Sequence, residues 1–301
     1  MLYIDKLMPK LHLFQALDSD VRIHILEFLS IEKELNMNQI ATKLNLSKAA
    51  ITMHIKKLED AGLISIKTSA GQHGVQKICC LNENRIIIEL GKEEYNNFYE
   101  VNIGVGQYSN YKVYPTCGIA SKTGLIGELD DPRYLADPER INAGILWFAN
   151  GYVEYKVPNY LKPNQRVKEL QISMEIASEA PGYCENWLSD IYMYFNEIEL
   201  GFWTSPGDFG SKKGIFTPNW WPEWNQHGLL KVLSINSNGT FIDGMKISEI
   251  TIEDLNLNYQ TAFNLKFAIP EKARNIGGLT IYGKCFGNYD QDIKIRVFYT
   301  S

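Results

Sequence analysis

The stretch Ser47-Lys-Ala-Ala-Ile-Thr-Met-His-Ile-Lys-Lys-Leu-Glu-Asp-Ala-Gly-Leu-Ile64 constrains the fold more than any other part of the chain. Ile51, Ile55 and Leu58 stand at i, i+4 and i+7, which places three apolar side chains on one helical face. Ser47 precedes them as a natural N-cap, its hydroxyl able to accept from a free amide of the first turn. Gly62 follows as a C-cap, because the residue past a helix often turns left-handed and glycine does so without a Cβ clash. The pattern predicts a helix from Lys48 to about Ala61.

The flanking segments extend the pattern. Asp18 or Ser19 is placed to cap a helix running to about Ser30, with Val21, Ile25, Leu26, Phe28 and Leu29 as its apolar stripe. A second helix is expected from Met37 to Leu44, with Ile40, Ala41 and Leu44 inward, and Asn45-Leu46 as the turn. Two strands are expected after Gly62, Leu63 to Thr68 and Val75 to Leu81, joined by Ser69-Ala-Gly-Gln-His-Gly74. Three helices followed by a hairpin is the winged form of the helix-turn-helix. The plainer alternative is a small bundle with a solvated charged face, but the order helix, cap, helix, glycine, hairpin is more specific than a charge run.

Such a unit reads duplex DNA with its third helix. Ser47, Lys48, Ala49, Thr52, Met53 and His54 are candidates for the groove, since small residues near the helix start allow close approach to base edges. Lys56 and Lys57 are candidates for phosphates, and Lys67, Gln72, His73 and Lys77 for wing contacts.

Residues 11 to 82 resemble the ArsR-like winged helix-turn-helix family. The matching strings are Leu17-Asp-Ser-Asp-Val-Arg-Ile-His-Ile-Leu26, Met37-Asn-Gln-Ile-Ala-Thr-Lys-Leu44 and Leu46 through Ile64. The resemblance implies a dimeric, repressor-like protein that reads a two-fold operator in double-stranded DNA, with the helix from Lys48 as its recognition helix. Metal-sensing members carry cysteines on the helix before it. Here Glu32-Lys-Glu-Leu-Asn-Met-Asn-Gln39 has neither Cys nor His, so no metal is expected at that position. Cys79 and Cys80 are adjacent on an expected strand and point to opposite faces, a poor arrangement for one metal. A thiol switch is the redox reading they leave open.

The texture changes near residue 90. Helical spacing gives way to short β-branched and aromatic runs separated by Gly, Pro, Asn and Asp. The reading is an α+β multidomain chain: a winged helix-turn-helix at residues 1–90, a linker at 91–97 and an all-β, jelly-roll-like sandwich at 98–301. Strands are expected at 98–105, 111–119, 145–148, 152–157, 167–177, 191–200, 229–235, 262–269, 278–286 and 293–299. In Leu170-Gln-Ile-Ser-Met-Glu-Ile176 the alternation puts Leu170, Ile172, Met174 and Ile176 on one face. A net charge of −5 gives no overall basic signal, so any nucleic-acid role must rest on the local motif. The five cysteines form no C-x-x-C pair, and no apolar run approaches a membrane span. A cytoplasmic protein without cofactor or membrane partner is expected.

The sandwich carries the other distinctive string. Gly201-Phe-Trp-Thr-Ser-Pro-Gly-Asp-Phe-Gly210 and Thr217-Pro-Asn-Trp-Trp-Pro-Glu-Trp-Asn-Gln-His227 hold four of the six tryptophans. Trp203, Trp220, Trp221 and Trp224 stand among turn formers, with Asp190, Asp208, Asn225 and His227 as polar companions. Aromatic faces beside amides and acids suit a sugar, the ring covering C–H bonds while polar groups take hydroxyls. The alternative is that the tryptophans plug the end of the sandwich or line a dimer contact. This half resembles the carbohydrate-module-like jelly rolls that some bacterial regulators append to such a head. The resemblance rests on Asp190 through Asp208 and on Gly283-Lys-Cys-Phe-Gly-Asn-Tyr-Asp-Gln-Asp292, and it implies a binding role with no catalytic residue. The whole chain then reads as a transcriptional regulator, a repressor by resemblance, with a carbohydrate effector. Two other readings of the sandwich stay open: a ligand-free dimerisation or interaction module, and a carbohydrate-active enzyme using Asp190, Glu197 and Asp208. No G-x-S-x-G, H-E-x-x-H or phosphate-loop pattern supports the latter.

Overall fold

A computed structural model describes residues 2–4, 7–71, 74–82, 86–88 and 97–301. Contacts divide the chain into two compact units, Met1–Glu93 and Glu94–Ser301. Residues 91–96 of the expected linker lie outside the described residues.

The first unit contains β1 (Leu2–Ile4), α1 (Leu11–Leu17), α2 (Asp20–Glu32), β2 (Glu34–Asn36), α3 (Met37–Leu44), α4 (Lys48–Asp60), β3 (Ile64–Gly71), β4 (Gly74–Leu81) and β5 (Ile86–Ile88). The caps explain the boundaries. Asn36 closes a capping box: its side chain accepts from the amides of Asn38 and Gln39, while Gln39 Oε1 accepts from the Asn36 amide. Asn45 ends α3 with φ 52°, a left-handed position that asparagine tolerates. Gly62 ends α4 with φ 73°, as the sequence predicts. Ile25, Ile40, Ile51, Ile55 and Leu58 are fully buried in one core. Arg22 is buried with them, and its guanidinium donates to the carbonyls of Ala16, Gln15 and Asp18, which α1 leaves unpaired at its C-terminal end. Four elements go beyond the sequence expectation, two of them β1 and β5, which pair in parallel. The short helix α1 precedes α2, and β2 pairs with β4, making the wing a three-stranded sheet in the order β2-β4-β3.

The second unit is an antiparallel sandwich. Its strands are β6 (Asn97–Ile103), β7 (Asn110–Ser121), β8 (Leu125–Ile126), β9 (Ala143–Val157), β10 (Arg166–Ala177), β11 (Ser189–Phe195), β12 (Ile198–Ser205), β13 (Leu229–Asn236), β14 (Gly239–Ile242), β15 (Met245–Ser248), β16 (Phe263–Ile269), β17 (Leu279–Tyr282) and β18 (Ile293–Thr300). Pairing gives one layer as β8-β7-β9-β16-β11-β12 and the other as β6-β18-β10-β13-β14-β15. Strand β17 pairs with β9 on one edge and β10 on the other, so the layers join at a corner and the sandwich approaches a barrel. The inner faces meet in one large core. Phe148 and Tyr155 of β9, Met193 of β11 and Phe267 of β16 share it with Leu170, Ile172, Met174 and Ile176 of β10 and Ile295 of β18. The alternation expected for Leu170 to Ile176 is the alternation found.

Three strand expectations need correction, the first being that the run expected over 278–286 is the short β17, Leu279–Tyr282, after which the chain turns with Cys285 at φ 71°. The run expected as one strand over 191–200 is a hairpin, because Asn196 and Glu197 take φ 48° and 65° and turn the chain between β11 and β12. The runs expected as separate strands at 145–148 and 152–157 form one long β9 passing through Asn150 and Gly151. Glu197 therefore belongs to a turn and does not share a strand face with Glu199.

Candidate DNA-reading face and ligand cleft

In the first unit, Ser47 accepts from the Ala50 amide and fixes the start of α4. Burial of Ile51, Ile55 and Leu58 turns the opposite face outward. Ser47, Lys48, Ala49, Thr52, Met53, Lys56 and Lys57 are all exposed, with Met53 57% exposed. Thr52 donates its hydroxyl proton to the Lys48 carbonyl at 2.8 Å, so it can offer a base only its oxygen and methyl group. Among the described residues Lys48, Lys56 and Lys57 form no ion pair, which leaves their charge available to an external anion.

His54 stands apart from that face. It is half-buried, and its Nδ1 is enclosed with no hydrogen-bond partner among the described residues. Burial holds its pKa below the ordinary histidine value, and the charges of Arg22 and Lys57 add to the effect. Its position follows from the helix period: it lies one residue before Ile55, on the flank that turns inward. In the wing, Lys67 is exposed and its ammonium lies 3.6 Å from Glu34. Lys77 is exposed on β4, paired in register with Thr68. Gln72 and His73 lie outside the described residues.

The wing cysteines are buried. Cys79 sits in the core with its thiol pushed up to about 11, mainly by burial. Cys80 donates towards Glu34, and burial followed by that carboxylate raises its pKa as well. Both groups stay as thiols at neutral pH, which disfavours the thiolate chemistry of a redox switch. Among the described residues no group of three His, Cys, Asp or Glu side chains is placed to hold a metal. No helix among them is long and apolar enough to cross a membrane.

In the second unit the Trp-rich string divides. Trp221 is 5% exposed and forms the hub of an aromatic cluster. Its ring lies edge-on to those of Trp147, Trp220, Trp224 and Phe286, with centroids 5.5, 5.4, 5.5 and 5.3 Å away. Its indole nitrogen donates to the Asn225 carbonyl at 3.1 Å. Trp147 fits beneath because it crosses Gly118 of β7. A Cβ at Gly118 would come within 2.3 Å of the indole. Trp220 is exposed and donates to the Lys122 carbonyl. Trp203 belongs elsewhere: it packs against the main core under the Lys231 ammonium, 4.3 Å from its ring.

Beside the cluster opens a recess of about 100 Å³. Trp147 and Trp224 form its aromatic wall, and Leu129, Ala180 and Pro181 extend the apolar lining. Thr116, Asp130, Glu179 and Asn225 supply its polar groups. Glu179 is the centre of the polar network. One carboxyl oxygen meets the Thr116 hydroxyl at 3.1 Å, and the other meets Asn225 Nδ2 at 3.1 Å and the Thr280 hydroxyl at 3.0 Å. Burial raises its pKa well above the usual carboxylate range, and Asp208 adds to the rise. Asp130 sits at the rim with φ 60° and accepts from the Cys117 amide at 2.9 Å.

Of the companions expected from sequence, Asn225 lines the recess and three do not. Asp208 is fully buried behind the wall, where one oxygen accepts from the Ala180 amide and the other has no partner among the described residues. Burial pushes its pKa up to about 7. Asp190 is buried too, and clamps Asn275 and Thr204 across the end of β11. His227 stacks on Phe209, centroids 5.3 Å apart. Thr116, Asp130, Trp147 and Glu179 escaped the sequence reading. The one local hint was Glu179, an acid straight after the apolar run of β10 and before Pro181-Gly182.

Known proteins resemble the two units separately. Over 80 residues the chain is 28% identical to the uncharacterized HTH-type transcriptional regulator YdgJ of Bacillus subtilis (strain 168), a match covering 27% of this chain. The match spans 49% of that relative, about half its length. A transcriptional regulator homologue from Pyrococcus horikoshii OT3 aligns at 21% identity and a TM-score of 0.20, over 24% of this chain and 76% of its own. The carbohydrate-binding module CBM36, solved with calcium and xylotriose, aligns at 10% identity and a TM-score of 0.28, over 67% of this chain and 99% of its own. Residues 19–65 match the family of bacterial regulatory proteins named arsR, and this segment, from the cap of α2 to the start of β3, is an arsR-family helix-turn-helix domain.

Proposed function

We propose that the protein is a DNA-binding transcriptional repressor, acting as a cytoplasmic homodimer, whose β unit takes a small carbohydrate as effector. The observation that carries the DNA half is α4, a capped helix with an uninterrupted exposed face of small side chains and unpaired lysines, within an arsR-family domain. Its first turn would meet base edges with Ser47, Lys48, Ala49, Thr52 and Met53, while Lys56 and Lys57 meet phosphate. Lys67 and Lys77, with Gln72 and His73, would serve the wing. His54 acts from inside, as packing.

The sugar half rests on the recess walled by Trp147 and Trp224 and floored by Glu179 and Asn225. A ring stacked on an indole would present its hydroxyls to that floor. Regulation then requires that the sugar bind the DNA-competent and DNA-incompetent arrangements with unequal affinity. The edge-to-face burial of Trp221 favours a structural role for that residue, so the effector reading rests on Trp224 and Trp147.

Two measurements test the proposal. Duplexes selected by the full chain from a random pool should share a two-fold motif, and Thr52→Ala or Met53→Ala should alter the motif. Thermal-shift screening of the full chain against sugars should find a stabilising ligand whose effect Trp224→Ala removes. Absence of any selected motif refutes the DNA reading. Absence of stabilisation by every sugar refutes the effector reading.

A further inference from the structure

We infer that the effector carries a protonated amine, as an amino sugar does, and that its ammonium sits between Asp130 and Glu179 while its ring stacks on Trp224. The inference rests on the carbohydrate reading of this recess and names the chemical class within it.

Three observations point there. The first is the sign of the polar groups. Among the described residues, Asp130 and Glu179 are the ionisable side chains lining the recess, and no lysine, arginine or histidine lines it. A neutral sugar needs hydroxyl partners of both kinds, but it does not need two acids without a base. The second is the absence of compensation nearby. Among the described residues neither acid has a cationic partner. Asp208, buried behind Ala180, adds to the rise of the Glu179 pKa. The third is the wall itself. Trp147, almost wholly buried, and Trp224, half-buried, line it, and an indole quadrupole attracts a cation more strongly than any other side-chain ring does. Carboxylates and indoles together recognise an ammonium bound to an apolar ring.

The state of Glu179 supplies an independent signature. It is faced by Asp130 and Asp208, by the Tyr282 hydroxyl from β17 and by the Cys117 thiol from β7. Its hydrogen-bond partners, Thr116, Asn225 and Thr280, carry no charge. With only acids and neutral groups around it, the Glu179 carboxyl is held well above the usual carboxylate range, towards its protonated form. An ammonium placed beside it favours the carboxylate and lowers that pKa, so binding is expected to release protons to solvent. Affinity should therefore rise with pH until the ligand amine itself loses its charge.

Calorimetric titration of the full chain with glucosamine, glucose and N-acetylglucosamine decides the matter. The amine should bind at least about tenfold more tightly than either neutral sugar. Repeating the titration in buffers of different ionisation enthalpy should show proton release on binding of the amine. Glu179→Gln should abolish that release, and Asp130→Asn, at the exposed rim, should weaken binding of the amine more than that of either neutral sugar. Equal affinity for glucose and glucosamine overturns the inference and leaves the carbohydrate reading standing. Binding of none of the three sugars overturns both. Calcium or magnesium alone binding at the recess, with loss in Asp130→Asn, also overturns it, because a metal would then satisfy the acids.

Discussion

Replacing Trp221 with alanine separates a structural hub from a ligand platform. The side chain is 5% exposed, and four aromatic rings meet it within 5.5 Å, centroid to centroid. Truncating a buried Trp to Ala costs roughly 3–5 kcal/mol. The variant also loses the indole hydrogen bond to the Asn225 carbonyl, about 1 kcal/mol, and leaves that acceptor enclosed. The upper half of the range, about 4–5 kcal/mol, is therefore expected. For a unit of about 200 residues each kcal/mol moves the midpoint by roughly 2–4 °C, so the β-unit transition should fall by about 8–20 °C. Calorimetry on the full chain, with near-ultraviolet circular dichroism to follow aromatic packing, measures it. Trp224→Ala, which removes a half-buried ring at the recess, should cost roughly half as much and abolish ligand-induced stabilisation. A Trp221→Ala protein destabilised by less than about 1 kcal/mol, far below the usual cavity cost, would refute the assignment of that ring to the core.

Three further outcomes are expected. Glu175 and Asp208 both have pKa values raised to about 7, in each case chiefly by burial. The folded state then holds protons that the unfolded chain releases above about pH 4, so the β unit is most stable in acid and loses up to about 1.4 kcal/mol per pH unit per group as pH rises towards 7. Asp208→Asn should flatten that slope in urea titrations at successive pH values, and stability that increases from pH 5 to 7 contradicts the reasoning. Replacing Lys56 and Lys57 with alanine should weaken binding to all duplexes and reduce the salt slope by about two, as measured by anisotropy at several salt concentrations. Gly62→Ala meets no neighbouring atom but forces alanine to φ 73°, so it should cost about 1–2 kcal/mol in the first unit by chemical denaturation.

The parts of the fold that were legible in sequence are those set by local chemistry. Ser47, Asn45 and Gly62 mark helix ends because cap and left-handed preferences act within one turn. Helix α1 was not legible: its seven residues bury only Leu13 and Ala16, too little for a periodic signal, and Arg22 supplies part of its closure from the next helix. Strand β2 is three residues long and exists because β4 pairs with it. The hairpin at Asn196-Glu197 was misread because apolar runs on both sides hide a two-residue turn whose only mark is asparagine. The recess shows the same division. Trp224 and Asn225 came from one conspicuous string, whereas Thr116 follows from β7, Trp147 from β9 and Glu179 from the end of β10. Their meeting depends on the corner strand β17, which holds Thr280 against Glu179 and joins both layers. Pairing over such sequence separations leaves no periodic trace.

Glu175, near the end of β10, and Glu179, just past it, are both buried but make different demands on the fold, and the contrast decides which can serve a ligand. Glu175 accepts from the backbone amides of Gly228, Asn288 and Tyr289. Backbone donors from two loops cannot turn away without moving those loops, so this carboxyl clamps the end of the sandwich and is consumed in doing so. Glu179 lies past the end of the strand, and its partners Thr116, Asn225 and Thr280 all act through side chains. Hydroxyls and an amide can rotate or exchange partners at the cost of a rotamer change. Burying an acid in place of an apolar residue seldom adds stability. At Glu175 the amides of two loops offset that cost. At Glu179 the offset comes from groups that a ligand can displace, at a position that opens into the recess. A carboxyl whose pKa its surroundings raise, held by replaceable partners in a recess that Trp147 and Trp224 line, is poised to ionise when a cation arrives, and Glu175, with fixed partners, is not.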